Sequence, residues 1–402
     1  MLRRIKKFIE LEAATGILLI IFSALALILS NSNHFEVYQN FLAIYLPLDL
    51  DFIGLNREMY LRDWINDASM ALFFLFIGLE LKQEVLVGEL STKSRISLPL
   101  IAAVGGIIVP AIIFYFCNSD SPKNLRGFAI PTATDIAFAY GIVCLFGNKI
   151  SKSLKVFLIS LAMFDDLVAI FLIAIFYSKN VDVTYLALAL IPLSCLAILN
   201  LTKSHKIFLY LIVGVGLWLM ILESGIHATL SGVVLAMFIP LNTGKKKPLE
   251  TLIRKISPSV NFLILPVFAF ANAGVRIENF SLETFLHPIT LGVILGLFFG
   301  KQIGVMIFSF VAVKSGITHL PRSGCGTATW KEFYGITILT GVGFTMGLFI
   351  GVLAFPNDQI AFDAAKIGVL FGSFFSAIFG MVMIRNANGA ISARSQIGSK
   401  NP

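Results

Sequence analysis

The sequence predicts an all-α integral membrane protein of twelve transmembrane helices, with a small β-hairpin outside the membrane. Three observations predict it. The 402 residues are 57% hydrophobic and only 13% charged, where a soluble domain averages about 25% charged residues. The apolar residues fall in runs of the length a bilayer-crossing helix needs, about 20 residues, and not in the short alternating segments of a membrane β-barrel. Lys and Arg gather in every second connection between the runs, which is the charge asymmetry of a multi-pass chain.

Taken in order, the runs lie at roughly 12–31, 64–87, 96–117, 127–147, 156–177, 184–202, 206–222, 225–241, 259–275, 288–313, 334–355 and 364–384. An even number of spans places both termini on one side. With the termini in the cytoplasm, 23 of the 31 Lys and Arg lie in cytoplasmic segments and 7 lie outside, Lys301 being the last. That split assigns the orientation, so the net charge of +8 reflects topology and calls for no nucleic-acid partner. Lys245, Lys246 and Lys247 read as a cytoplasmic anchor near anionic lipid. The first run is long and lacks a cleavage site, unlike a removable signal peptide. Cys117, Cys144, Cys195 and Cys325 are scattered and read as small apolar residues.

Most connections are short, so residues 1–386 are expected to form one twelve-helix domain. The external segment 32–63 contains "LPLDLDFIGLNREMYL", whose partial alternation around Gly54 predicts the β-hairpin, at 47–62. Its free edge can pair with a second copy of the chain. The polar tail 387–402 is expected to be disordered.

Two runs are interrupted. The fourth reads "RGFAIPTATDIAFAYGIVCLFG", in which Pro131, Thr132, Thr134 and Asp135 fall near the middle. Pro131 lacks an N–H and clashes with the preceding turn, so the helix is expected to break there. The eleventh reads "YGITILTGVGFTMGLFIGVLAF", interrupted by Thr340, Gly341, Gly343 and Thr345. Each is the middle member of a three-run group, about 96–177 and about 288–384. Broken helices at matching places in two halves predict a secondary transporter built from inverted repeats.

Four charges lie deep inside the runs: Asp135, Asp165, Asp166 and Lys301. Each costs roughly 2.5 to 3.5 kcal/mol at the bilayer centre on insertion scales. Lys301 and one aspartate can form a structural ion pair, but three acids against one base leave a surplus of negative charge. Such a site attracts a cation or holds protons, and one carboxylate doing either in turn is the simplest chemistry of antiport. Asp165 and Asp166, in "AMFDDLVAIF", are about 100° apart around the helix axis, so only one can meet Lys301. Spacing alone leaves open which. The opposed half-helices expose positive and negative ends; Asp135 suits the first and Lys301 the second. Thr134 offers a hydroxyl oxygen. Glu80 and Glu84, in "GLELKQE", and His227, in "SGIHATLSG", sit near run ends.

These stretches resemble the NhaA-type bacterial sodium/proton antiporters. The resemblance rests on "WINDASMALFFLFIGLELK" (64–82), "PTATDIAFAYGIVCLFG" (131–147), "FDDLVAI" (164–170), "SGIHATLSGV" (224–233), "LPVFAFANAGV" (265–275), "GKQIG" (300–304) and "GVGFTMGLFIG" (341–351). It implies that helices four and eleven unwind and cross at mid-membrane. It implies that Asp166 and Asp165 are the central carboxylates, Asp166 the principal cation ligand and Asp165 the partner of Lys301, with Thr134 and Asp135 in the unwound segment; a transient Na⁺ is then expected on Asp166, Asp165 and Thr134. It links Glu80, Glu84 and His227 to pH response. It implies a homodimer through the external hairpin, a place in the bacterial inner membrane, and no cofactor beyond the transported ions. Gln83, Phe164, Ile253, Arg254, Ser257 and Gly347 depart from the family's pattern, which bears on the pH set-point and not on the aspartates.

The expected function is therefore electrogenic exchange of cytoplasmic Na⁺ or Li⁺ for external H⁺ by alternating access, serving sodium and pH homeostasis. A cation-coupled solute symporter would need an additional polar pocket, which the sequence does not suggest. An intramembrane aspartyl protease would need two aspartates on neighbouring helices, one in a Gly-x-Gly-Asp loop; here "GVGF" lacks the acid and the pair is contiguous.

Overall fold

In lipid a backbone must satisfy its own N–H and C=O groups, and a helix does so within one segment. The apolar runs are accordingly helical in the computed structural model. It describes residues 13–50, 55–178, 181–244, 246–276, 282–323 and 326–398. Among them, seven helices are long and apolar enough to cross a membrane: Ile96–Asn118, Asn124–Leu145, Lys152–Phe176, Val183–Leu201, Pro248–Asn272, Pro288–Lys314 and Gln359–Ala387. Two bent pairs raise the number to nine, Trp330–Leu339 with Phe344–Ala354 at 42° and Ala14–Ser30 with Phe35–Leu42 at 118°. Ile207–Glu223 is apolar but shorter. Two further expected runs fall outside this set for physical reasons. In 64–87, the helix Met70–Val87 carries Glu80, Lys82 and Glu84 in its second half. In 225–241, the helix Leu230–Phe238 has only nine residues. The protein is thus a mostly helical, multi-pass membrane protein.

The hairpin is present. Leu48–Leu50 pairs antiparallel with Leu55–Arg57, Leu48 opposite Arg57 and Asp49 opposite Asn56, and a bridge between Tyr45 and Tyr60 extends it. Its turn, with Gly54, lies outside the described residues, as do Lys245 and Cys325. Arg322–Ser323 and Gly326–Thr327 form a second small pair that the sequence did not suggest. The last helix, Gln359–Gly398, continues into the tail expected to be disordered. Extending an existing helix adds a hydrogen bond per residue with no new nucleus.

The chain divides into two compact units. One comprises Met1–Ile17, Thr92–Ala169 and Glu278–Pro402; the other comprises Leu18–Ser91 and Ile170–Ile277. In the first, the helix Lys93–Asn118 packs on Lys301–Lys314. Small residues allow this close approach, as is usual between membrane helices. A Cβ on Gly105 would strike the Phe308 ring at 2.6 Å and the Gly304 carbonyl. In the second unit, Leu75, Leu79, Leu196, Tyr210, Leu217 and Leu235 form a buried core. There Met70–Val87 packs on Leu230–Phe238, where a Cβ on Gly78 would lie 2.8 Å from that of Ala236. Lys82 Nζ donates to the carbonyls of Met237 (2.6 Å) and Ile239 (2.7 Å). Helix ends leave such carbonyls without intrahelical partners, and a cation suits them.

Candidate ion-exchange site

The first unit holds both interrupted runs. Asn124–Thr132 is a tight 3₁₀ segment containing Pro131, and Ala133 after it is extended at φ −85°, ψ 152°. A new helix, Ile136–Leu145, starts with Asp135 as its N-cap. The eleventh run breaks between Trp330–Leu339 and Phe344–Ala354. The two breaks touch. Asp135 N donates to Val342 O at 2.7 Å, and Thr134 Oγ1 donates to Thr340 O at 2.7 Å. Each break exposes backbone groups that lipid cannot satisfy, and each meets part of the other's need.

Asp135 caps two helices at once. Its Oδ1 accepts from Phe138 N at 2.8 Å, inside the first turn of Ile136–Leu145. Its Oδ2 accepts from Thr345 N at 2.9 Å and Thr345 Oγ1 at 2.5 Å, inside the first turn of Phe344–Ala354. A single carboxylate thus serves two positive helix ends, and it is 1% exposed.

Asp165 and Asp166 project from the 25-residue helix Lys152–Phe176, 1% and 0% exposed. Lys301, also 0% exposed, opens the helix Lys301–Lys314. Its stem passes over Gly106, where a Cβ would lie 3.6 Å from Lys301 Cδ. Lys301 Nζ meets Asp165 Oδ2 at 2.5 Å. The same oxygen accepts from Thr134 Oγ1 at 2.7 Å. Thr134 has one hydroxyl proton and two acceptors, Asp165 and Thr340 O, so it can serve only one of them at a time. Its oxygen lone pairs remain available.

Asp166 is different. Neither of its carboxyl oxygens has a hydrogen-bond partner among the described residues. The charges that act on it are those of Asp165, Asp135 and Lys301. A buried carboxylate without partners is costly unless it binds a proton or a cation. Among the described residues no three His, Cys, Asp or Glu side chains are grouped as a resident metal would need. A cation at Asp166 would draw its remaining oxygens from hydroxyls and unwound backbone, the hard donors that a small alkali ion prefers.

The other expected site residues belong to the second unit. Glu80 and Glu84 stand one turn apart on Met70–Val87, close enough to influence each other. His227 sits in the turn ahead of Leu230–Phe238, its carbonyl accepting from Leu230 N at 3.1 Å. Two contributors escaped the sequence reading. Thr345 was visible only as an interruption, although it supplies two of the three bonds to Asp135. Lys82, beside the two glutamates, carried no signal beyond its charge. A lysine at the end of an apolar run reads as a solvated anchor, and only the neighbouring helix reveals the carbonyls it caps.

Comparison with known proteins gives a consistent answer. The profile of the family described as Na⁺/H⁺ antiporter 1 matches residues 6–384. The chain is 47% identical over 386 residues to the Na⁺/H⁺ antiporter NhaA of Pelagibacter ubique, covering 95% of this chain and 97% of that protein. It is 46% identical over 385 residues to Na⁺/H⁺ antiporter NhaA 2 of Campylobacter jejuni, covering 96% and 99%. To the Na⁺/H⁺ antiporter NhaA of Nitrobacter hamburgensis it is 46% identical over 385 residues, covering 95% and 91%.

Proposed function

The chain belongs to the Na⁺/H⁺ antiporter 1 family, and on that premise we propose that it exchanges Na⁺ for H⁺ at Asp166. It is a secondary transporter, not an enzyme. One observation carries the site: Asp166 is fully buried and unbonded among the described residues, while Asp165 and Asp135 are already engaged. Asp166 ionised accepts Na⁺, with Thr134 nearby. Asp166 protonated is neutral and needs no cation. Binding of one expels the other, and alternating access exposes the group to one side at a time.

Finer features accompany the same reading. Li⁺ suits the same hard oxygen donors and is carried as well. Acidification of the cytoplasm protonates Asp166 and stops cation loading; Glu80, Glu84 and His227 adjust the pH at which this happens. Exchange of two protons for one Na⁺ moves one charge inward, worth about 2.3 kcal/mol per 100 mV. Asp135 and Lys301 compensate the ends of the broken helices. The twelve spans are arranged as inverted repeats with crossing breaks; in support, one unit gathers 92–169 and 278–402, each with an interrupted middle run. The chain lies in the bacterial inner membrane with cytoplasmic termini, in keeping with its Lys and Arg distribution. It dimerises through the hairpin edge.

Everted vesicles containing the protein and a pH-sensitive dye test the exchange. Added Na⁺ or Li⁺ collapses an imposed proton gradient, and Asp166→Asn, which keeps the volume and removes the charge, abolishes the response. Exchange retained in Asp166→Asn refutes the assignment. No wild-type response between about pH 6 and 9, the window in which buried carboxylates can titrate, refutes the exchange itself.

A further inference from the structure

The tenth run is not a uniform helix. Between Pro288–Leu295 and Lys301–Lys314 lies a π-turn, Gly296–Gly300, whose last backbone bond joins Lys301 N to Gly296 O. A π-turn inserts one extra residue, is rare, and is found mostly where function needs it. The extra residue rotates the residues before the turn by about 100° relative to those after it. Here it lets Leu297 face one way while Lys301 faces Asp165.

Leu297 is 0% exposed, and its surroundings are unusual. A Cβ on Gly343 would lie 2.8 Å from Leu297 Cδ2, and one on Gly372 would lie 3.0 Å from its Cβ and Cδ1. A Cβ on Gly341 would strike the Leu297 carbonyl oxygen. One residue earlier, a Cβ on Gly296 would lie 2.6 Å from that of Pro131. The π-turn therefore touches both broken runs, at Pro131 on one and at Gly341 and Gly343 on the other. Glycines at 341, 343 and 372 leave the space that the Leu297 side chain and carbonyl fill. Close packing of this kind transmits displacement, because interiors are dense and poorly compressible.

We infer that Leu297 is a positioning residue for ion exchange: a wedge against the break at Gly341 and Gly343 which, with Gly296 beside it against Pro131, ties the two broken segments to the helix bearing Lys301. It fixes the register between the capped helix starts at Asp135 and the Lys301–Asp165 pair, so that these two clusters shift together when access changes. The inference rests on the exchange reading and adds a residue whose chemistry gives no hint of a role.

The full-length protein in proteoliposomes tests it, with folded yield measured by size-exclusion chromatography. Gly343→Ala places a methyl group against Leu297 Cδ2 and is expected to lower turnover at least about fivefold, with apparent KM for Na⁺ within about twofold. Leu297→Ala alone removes the wedge and is expected to lower turnover about threefold or more, and in the Gly343→Ala background it removes both Cδ atoms and raises turnover to the level of Leu297→Ala alone. Gly341→Ala is the control: it meets backbone, so truncating Leu297 does not relieve it. Leu297→Met, nearly the same volume, retains turnover. Wild-type turnover in Gly343→Ala overturns the inference. So does failure of Leu297→Ala to relieve it, or a loss that tracks folded yield with turnover per folded molecule unchanged. Wild-type protein is assayed alongside; its failure to exchange would refute the exchange reading and take this inference with it.

Discussion

Removing the Asp135 carboxylate should uncap two helices with one substitution. It accepts from Phe138 N at 2.8 Å, Thr345 N at 2.9 Å and Thr345 Oγ1 at 2.5 Å. A hydrogen bond to a charged group contributes about 1.5–3 kcal/mol, and a buried donor left unmet costs about 1–3 kcal/mol. In Asp135→Ala two backbone N–H groups lose their acceptor at once, while the Thr345 hydroxyl can rotate away. The expected loss is about 3–6 kcal/mol. Asp135→Asn keeps one carbonyl oxygen for one helix start but turns an NH₂ towards the donors of the other, and should lose about half of that. Thr345→Val deletes only the hydroxyl and should cost about 1 kcal/mol. Thermal unfolding of the purified full-length protein in detergent, monitored by tryptophan fluorescence, ranks the variants. The expected order of midpoints is wild type, Thr345→Val, Asp135→Asn, Asp135→Ala. The double variant Asp135→Ala/Thr345→Val should fall short of additivity, since both changes remove the same bond. An Asp135→Ala midpoint equal to wild type, or Thr345→Val as damaging as Asp135→Ala, would refute the double cap.

Thr134→Val keeps the shape but removes the proton shared between Asp165 and Thr340 O, and should weaken Na⁺-dependent exchange by about tenfold or more; Thr134→Ser, which retains the hydroxyl, should stay within about threefold. Equal activity in the two variants argues against a role for the hydroxyl. His287 Nδ1 accepts from Ile289 N at 3.3 Å and caps Pro288–Leu295. Burial holds its protonated form below the ordinary imidazole range, the Asp358 carboxylate partly offsetting this. The unfolded chain therefore binds more protons in that window, so stability rises with pH. The contribution is full above the unfolded value of about 6.5 and is lost as pH falls from there towards the folded pKa. Amide protection at 289–291, corrected for the intrinsic pH dependence of exchange, should fall below about pH 6.5 in the wild type and stay flat in His287→Asn, a cap that does not titrate there. An unchanged wild-type profile would sink the cap.

Much of this arrangement is legible in the sequence, and the part that is not has a physical reason. Length of apolar runs and placement of Lys and Arg report the membrane, because lipid penalises charge whatever the fold. Pro131 and the Gly341–Gly343 pair report the breaks, because their effect on the backbone is local. The partner of Lys301 was different. Adjacent residues on a helix point about 100° apart, and nothing within Lys152–Phe176 says which of them faces another helix. The π-turns at Ile65–Ser69, Val260–Ile264 and Gly296–Gly300 also left no trace. No residue type demands an i→i+5 bond; packing against neighbours selects it. Leu297 was hidden for the same reason, since a leucine among leucines and phenylalanines has meaning only through the glycines opposite it.

The three buried aspartates differ chiefly in how many donors each one meets. Asp135 accepts from Phe138 and twice from Thr345, and Asp165 accepts from Lys301 and Thr134. Asp166 has no partner among the described residues. Every acid at the bilayer centre costs roughly 2.5 to 3.5 kcal/mol, and for two of them fixed partners offset it permanently. On the proposed reading those two, which could give up their partners only by breaking a helix cap or an ion pair, exchange less readily than the third. The third has no fixed partner among the described residues to lose. A carrier must release its cargo as readily as it captures it, so a site rich in fixed donors would hold its occupant or never admit it. On the proposed exchange, the lack of donors around Asp166 is therefore what permits turnover. Adding a donor beside Asp166 should stabilise the protein and slow the transporter at the same time.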